Sequence, residues 1–313
     1  MEGLSRRRIL KKVAALGVAG PMVAKQPSVH TPALRFPTNP RERLAVTSWP
    51  FRAYIESPTN RGREKSKPGI DLKEFAAMVV KRFDVHNINP LSDHFSSTDP
   101  AYVKAFGKAV ADAGSHVVDL GLGGKSFGDP DASQRAAAID YGRKWIDIAV
   151  SLGCPSVRQH LRSAAGQPPD VDRSAESLAK LAEYGSSRNV IVNLENDSPG
   201  SEDPFFIISI LQRVNSPYLR ALPDFGNSLR GHDQQYNERA VDAMFKYAYS
   251  MCHVKDRLTS KDGKVDEVNL ARMFQIAKSN GYRGYFSMEV DTASSDPFEG
   301  TEHLVEQSYK FLS

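Results

Sequence analysis

Val190-Ile191-Val192-Asn193-Leu194-Glu195 is a short apolar run that ends on an acid, and polar turn residues and then a helical pattern follow it. Three later runs have the same form: Leu219-Arg-Ala-Leu-Pro-Asp224, Tyr249-Ser-Met-Cys-His253 and Gly284-Tyr-Phe-Ser-Met-Glu289. Their polar ends lie 29, 29 and 36 residues apart. Such a spacing accommodates one strand and one helix per unit, and repeated βα units imply a parallel sheet. In a closed β/α barrel the C-terminal strand ends converge on one mouth, where chemistry is housed. Three oxygen donors and one neutral imidazole meeting there suit a single divalent ion, Mn²⁺, Mg²⁺, Co²⁺ or Zn²⁺, without selecting among them.

The same alternation extends outward from these four runs. Upstream, strands are expected over 43–49, 84–89, 116–122 and 156–160. Helices are expected near 72–80, 100–113, 132–152, 172–187, 204–213, 237–247, 267–280 and 301–312. In the first helix Leu72, Phe75, Ala76, Val79 and Val80 follow the i, i+3, i+4, i+7 spacing of one apolar face. Eight units with no chain left over for a second domain predict a single parallel (β/α)8 barrel over 43–313, preceded by a Pro-rich connector over 25–42.

Residues 1–24 are set apart. Ser5-Arg6-Arg7-Arg8-Ile9-Leu10-Lys11 leads into a short apolar stretch from Val13 to Ala24, a pattern that looks like a twin-arginine export signal and predicts a periplasmic protein. The apolar stretch is shorter than the roughly 20 residues a bilayer core demands. This segment holds five of the 41 basic residues and one of the 37 acidic ones, so the remainder balances at 36 and 36. A neutral mature chain lacks the positive excess expected when the main partner is nucleic acid, and no later apolar run is long enough to span a membrane. Cys154 and Cys252 lie in no C-x-x-C pair and read as two buried, inert thiols. A homo-oligomer is compatible with the sequence.

Period-two alternation selects the other side chains that share the inner face. Lys255 follows His253 by two residues and should point into the mouth. Arg158 and His160 share a face of the fourth strand, and Trp49 ends the first. On the second strand either His86 with Ile88 or Asn87 with Asn89 faces inward, and the apolar Ile88 favours the asparagines. Lys255, Asn227, Arg158, His160, Trp49, Asn89 and His86 are therefore the candidate substrate contacts. The loops over 56–69 and 227–236, the second with Arg230 and His232 near its tip, are long enough to close over a ligand. The glycines of Gly121-Leu-Gly-Gly-Lys-Ser-Phe-Gly128 do not have the spacing of a phosphate loop and are expected to form a turn.

Val-Asn-Leu-Glu195-Asn, Pro-Asp224-Phe-Gly-Asn227, His253-Val-Lys-Asp256 and Gly-Tyr-Phe-Ser-Met-Glu289-Val-Asp together resemble the xylose-isomerase-like barrel superfamily, in particular its sugar phosphate isomerase/epimerase branch. The resemblance implies that Glu195, Asp224, His253 and Glu289 hold one divalent ion and that Glu195 and Glu289 also move protons. Many relatives carry a histidine three residues after the metal-binding aspartate, where this chain has Asn227. Asparagine can hydrogen-bond a sugar hydroxyl but carries no proton at neutral pH.

The expected chemistry is proton abstraction next to a sugar carbonyl through a metal-stabilised enediolate, giving isomerisation or epimerisation. Loss of a β-hydroxyl from the same intermediate would give a dehydratase, or a hydratase in reverse, acting on a sugar or keto-glycoside. A different-class alternative is a carbohydrate-binding barrel without turnover. The least favoured reading is an endonuclease-like phosphodiesterase, because that pattern uses additional histidine ligands.

Overall fold

A computed structural model describes residues 31–164, 166, 169–197 and 203–313. The segment read as an export signal lies outside them. Eight parallel strands form the inner wall: β1 (Leu44–Thr47), β2 (Asn87–Asn89), β3 (His116–Val117 and Leu120–Lys125), β4 (Ser156–Leu161), β5 (Ile191–Glu195), β6 (Leu219–Leu222), β7 (Met251–Val254) and β8 (Tyr285–Met288). Hydrogen bonding runs β7-β8-β1-β2-β3 in one sheet and β3-β4-β5-β6 in another. Isolated bridges join the two sheets into a cylinder, Leu91 with Gly121 on one side and Ala221 with Ala248 and Asp224 with His253 on the other.

Strand three is broken where the sequence reads as one continuous run over 116–122. Between its two segments Asp119 is fully buried, with its carboxylate accepting from Ser156 and Asn193 across the barrel interior. The break coincides with this buried acid, and backbone bonds to Ile88 and Pro90 resume on either side of it, from Val118 and Gly121.

Helices α1 (Leu72–Phe83), α2 (Pro100–Asp112), α3 (Ala132–Ser151), α4 (Val171–Arg188), α5 (Pro204–Val214), α6 (Gln234–Phe245), α7 (Leu270–Ser279) and α8 (Pro297–Leu312) form the outer layer. Each follows an Asp or Asn, and the side chains of Asp71, Asp131, Asp170, Asp203, Asp233, Asn269 and Asp296 accept a backbone N–H of the first turn. That bond satisfies an otherwise orphaned donor and fixes where each helix starts. The last helix accordingly begins at Pro297, immediately after its Asp296 cap, four residues earlier than the apolar periodicity alone indicates. The core lies between the layers, with Phe51, Phe75, Phe106, Phe225 and Phe286 fully enclosed. Cys154 and Cys252 are buried free thiols, as the sequence predicts. Among the described residues no helix is long and apolar enough to cross a membrane.

The described part of the Pro-rich connector is docked beneath the barrel, at the N-terminal ends of the strands. Phe36 sets its ring edge-on to Tyr249 and Tyr285, with centroids 5.4 and 5.8 Å away. Tyr249 donates its hydroxyl to the Pro32 carbonyl at 3.2 Å, and Arg43 donates to the carbonyls of Tyr282 and Gly284 at 3.1 Å. Phe36→Ala removes two aromatic contacts from a half-buried ring and should cost about 2 kcal/mol, read as a lower midpoint in chemical denaturation. An unchanged midpoint would mean that the strap contributes nothing to stability.

Candidate metal centre and substrate cavity

At the C-terminal mouth Glu195, Asp224, His253 and Glu289 each offer a ligand atom, all within 4.8 Å of one another and all buried. Glu195 closes β5, and His253 lies within β7. Asp224 and Glu289 stand just past the ends of β6 and β8. Asp224 is held by its bridge to His253, and Glu289 by its N–H donating to the Val254 carbonyl at 2.9 Å. The Pro-Asp-Phe-Gly-Asn sequence has a local reason: Asp224 Oδ1 accepts the N–H groups of Gly226 and Asn227 at 2.8 and 2.7 Å. This turn leaves Asp224 Oδ2 facing the cluster, buried and accepting no hydrogen bond. Gly226 is required because a Cβ there would come within 2.9 Å of the Lys255 stem.

The donors fit a divalent cation. Nδ1 of His253 lies 2.7 Å from Glu195 Oε1 and 3.1 Å from Glu289 Oε2, so the imidazole and both carboxylates face one point. Asp224 Oδ2 has the Lys255 ammonium 3.3 Å away but accepts no hydrogen bond from it, and beside two further carboxylates it leaves a coordinating oxygen that a shared cation would fill.

Two cations also border this cluster. Lys255 Nζ lies 3.2 Å from Glu289 Oε1 and 3.3 Å from Asp224 Oδ2, and it donates to Asn227 Oδ1 at 2.9 Å. Arg158 Nη1 contacts both Glu195 Oε2 and His160 Nε2, while His160 Nε2 stands 2.7 Å from the same Glu195 oxygen. Burial alone would raise the Glu195 carboxyl, but Arg158 and His253 outweigh it and hold the group well below the usual carboxylate range. Glu289 is likewise depressed, His253 and Lys255 overcoming the effect of burial. Asp224 moves the other way. Burial, opposed by Lys255 and reinforced by Glu289 and Glu195, lifts it to about 6. For His253 burial lowers the value, but Glu195 and Glu289 reverse this and hold the imidazolium up to about 10.

A cavity of about 260 Å³ opens beside the cluster, lined by Glu289, Lys255, Arg158 and His160 at its base and by Trp49, Asp93, Gly121–Gly124, Arg162, Asp197 and Arg230 toward the rim. Glu289 thus faces the cavity, whereas Glu195 lies behind Arg158 and His160. Trp49 is 43 % exposed, enough to offer a ring face, and Arg52 stacks its guanidinium 4.2 Å from that ring. Trp49 stands in a 3-10 turn beyond Thr47 rather than on the strand itself.

The structure redistributes several residues expected from the sequence. Asn89 faces inward as expected, but it lies fully buried behind His253 and does not line the cavity. His86 is on the opposite face, where its ring bonds the Gly114 carbonyl at 2.8 Å near the base of the barrel. It takes no part in the mouth. Asn227 is buried and positions Lys255 rather than meeting the cavity. The glycines from Gly121 to Gly124 belong to a strand, not a turn. A Cβ at Gly121 would strike Arg158 and Leu91, and one at Gly124 would strike Arg162. Gly121 and Gly124 thus permit close approach of the arginine side chains, while Gly123 and Gly124 fall where the strand register shifts between Leu122 and Lys125.

The loop over 56–69 is tied down rather than free. Ile55–Glu56 pairs with Ile70–Asp71, and Asn60 donates to the carbonyls of Arg52 and Ile55. In the other long loop Arg230 reaches the rim and bonds Asp197 at 3.0 Å, while His232 stacks on Tyr236. Residues missed from sequence include Asp119 and Asp197. An acid inside the apolar run Val117-Val118-Asp119-Leu120, and an acid two positions after Glu195 on the same face, were the available signals.

A family model described as xylose isomerase-like TIM barrel matches residues 75–313. The chain belongs to that family. Solved structures share the fold at low identity. A xylose isomerase-like TIM barrel protein from Mycobacterium smegmatis in complex with magnesium aligns with a TM-score of 0.64 at 17 % identity, covering 87 % of this chain and 98 % of the other. D-psicose 3-epimerase with D-fructose gives 0.67 at 13 % identity, covering 86 % and 99 %. L-ribulose 3-epimerase gives 0.65 at 17 % identity, covering 86 % and 95 %. A search of curated protein sequences finds no match.

Proposed function

We infer that this xylose isomerase-like barrel is a divalent-metal-dependent carbohydrate epimerase or isomerase. The observation that carries the reading is the buried quartet, with its undonated Asp224 oxygen, opening onto a small polar cavity. The epimerase structures of the same fold support it. Glu195, Asp224, His253 and Glu289 would hold the ion, which when bound supplies Lewis acidity to a substrate carbonyl and its neighbouring hydroxyl. His160, Glu195 and Asp197 form a second group of possible ligands, but Arg158 Nη1 contacts both His160 Nε2 and Glu195 Oε2 there, and its positive charge favours one ion over two.

Glu289 takes the proton from the carbon next to the carbonyl, because it is the glutamate that lines the cavity. Lys255, with its ammonium 3.2 Å from Glu289, donates to the oxygen that gains charge as that proton leaves. Glu195 acts from the other wall: it takes up a proton relayed from solvent through His160, which stands 2.7 Å from its Oε2, and passes it to the substrate, while Glu289 gives up its own proton to solvent. Delivery to the opposite face inverts the centre, whereas delivery to the adjacent carbon exchanges aldose and ketose. Trp49 supplies an apolar wall and Arg162 a polar one for the rest of the sugar.

Incubation of manganese-loaded protein with a panel of ketoses, aldoses and keto-glycosides in D₂O tests this directly. The expected result is deuterium at a carbon next to the carbonyl together with an epimer or isomer. Deuterium with loss of a hydroxyl would replace the reading by dehydration, and binding without exchange would replace it by a non-catalytic carbohydrate receptor.

A further inference from the structure

Beneath the quartet the barrel interior is polar where branched apolar side chains commonly fill such barrels. Asp119 lies in this layer, fully buried, and among the described residues no basic side chain forms a salt bridge with it. Its Oδ1 accepts from the Ser156 hydroxyl at 2.5 Å and from Asn193 Nδ2 at 3.1 Å. Its Oδ2 accepts from Asn89 Nδ2 at 3.2 Å, and its backbone carbonyl accepts from the same amide at 3.1 Å. A backbone carbonyl can only accept, so the Asn89 NH₂ group must face Asp119. The Asn89 carbonyl oxygen is therefore the atom turned toward His253, 3.0 Å from Nε2. An amide oxygen can only accept as well, and this places a proton on His253 Nε2.

We propose that Asp119 and Asn89 are positioning residues of the metal centre, fixing His253 as the tautomer that presents the Nδ1 lone pair to the ion. The proposal rests on the metal-site reading above. Forced donor and acceptor roles run from the buried carboxylate through one amide to the imidazole. Nδ1 is already the nitrogen turned toward Glu195 and Glu289. Metal-bound histidines generally donate their second N–H to an oxygen acceptor, and loss of that acceptor typically lowers metal affinity by 10–100-fold. Here the acceptor is an amide whose own orientation is enforced by Asp119, so the constraint extends to the centre of the barrel.

The test measures Mn²⁺ affinity by competition with a chelating indicator for the full chain, Asn89→Ala, Asn89→Asp and the double variant Asn89→Asp/Asp119→Asn. Chemical unfolding of each metal-free protein is followed alongside. Asn89→Ala should weaken Mn²⁺ binding by about 10–100-fold. Asn89→Asp places two carboxylates face to face and should also weaken it. The double variant puts an amide donor back opposite the carboxylate, although the backbone carbonyl at 119 still lacks the donor that Asn89 gave it, and should recover part of the affinity lost in the single Asn89→Asp. A purely structural role would lower the metal-free unfolding midpoint and leave affinity at the wild-type level, which would overturn the proposal.

A long-range ¹H–¹⁵N spectrum of Zn²⁺-loaded wild-type protein provides an answer even if the variants fail to fold. A protonated Nε2 and a ligated Nδ1 on His253 are expected, and the reverse assignment would refute the proposal. A wild-type protein that binds no divalent ion would instead defeat the functional reading itself.

Discussion

Asp224→Asn is expected to weaken divalent-ion binding by at least about 100-fold, more than loss of an outer hydrogen-bond partner costs, and turnover should fall by a factor of about 10² to 10³ or more. The variant keeps the turn, because its amide oxygen can still accept the Gly226 and Asn227 N–H groups that Oδ1 accepts now. What it loses is the second carboxylate oxygen, which is buried, accepts no hydrogen bond and has the Lys255 ammonium 3.3 Å away. The metal-free stability should respond in the opposite sense. Burial and the neighbouring glutamates outweigh Lys255 and lift the Asp224 carboxyl from 3.8 to about 6, so above that pH the folded state carries its charge at a net cost in stability. Replacing it by a neutral isostere at pH 8 should leave the metal-free unfolding midpoint unchanged or higher. Binding measured with a chelating indicator, and unfolding measured in excess chelator, check the two halves separately. A variant that retains wild-type affinity would remove Asp224 from the centre, and one that unfolds at much lower denaturant would show that its charge stabilises the fold. Improved stability alongside lost activity is the pattern of a site whose strain serves function.

The convergence of the quartet was legible because each donor terminates an apolar run, and a closed parallel barrel brings such strand ends to one mouth. Period-two alternation placed Lys255 and Arg158 correctly on the inner face, since the pleat fixes direction irrespective of detail. Alternation says nothing about depth. Asn89 and Asn227 both point inward, yet one lies behind His253 and the other beneath Lys255, and neither reaches the cavity. Strand-end curvature and the tilt of neighbouring side chains set that depth, and they arise only on closure of the barrel.

The glycine strip shows a second kind of limit. Glycine in a short sequence permits either a turn or close approach, and the choice depends on what lies across the strand. Here Arg158 and Arg162 come from the next strand and the residues just beyond it, side chains that local sequence cannot place. Similarly, the Pro-rich segment reads as a connector until the aromatic rings of Tyr249 and Tyr285, more than two hundred residues away, are seen to receive Phe36. The break in β3 follows the same rule. It coincides with Asp119, whose partners lie on β4 and β5, an interaction between units rather than within one.

Metal loading near pH 7 should release about one proton, because a ligand must be deprotonated to bind and His253 enters the reaction charged. Glu195 and Glu289 overcome burial to hold its imidazolium up to about 10, whereas Asp224 at about 6 is already mostly ionised at that pH. The same shifts give the metal-free protein a defined pH response. His253 is raised above its ordinary 6.5, so the stability it contributes is fully present below 6.5 and is lost as pH rises through about 10. The contribution from protonated Asp224 is present below 3.8 and lost as pH rises through about 6. Glu195 and Glu289 are depressed, so their contribution is present above 4.5 and lost as pH falls through their folded values. The metal-free unfolding midpoint should therefore decline from about pH 6.5 toward pH 10 while divalent affinity rises over the same interval. Calorimetric titration with Mn²⁺ in buffers of different ionisation enthalpy reads the proton count, and denaturant melts in excess chelator read the stability. Loading without proton release would mean that the imidazole is neutral before the ion arrives or is not a ligand. A metal-free midpoint that stays level up to pH 10 would show that the carboxylates do not hold it charged.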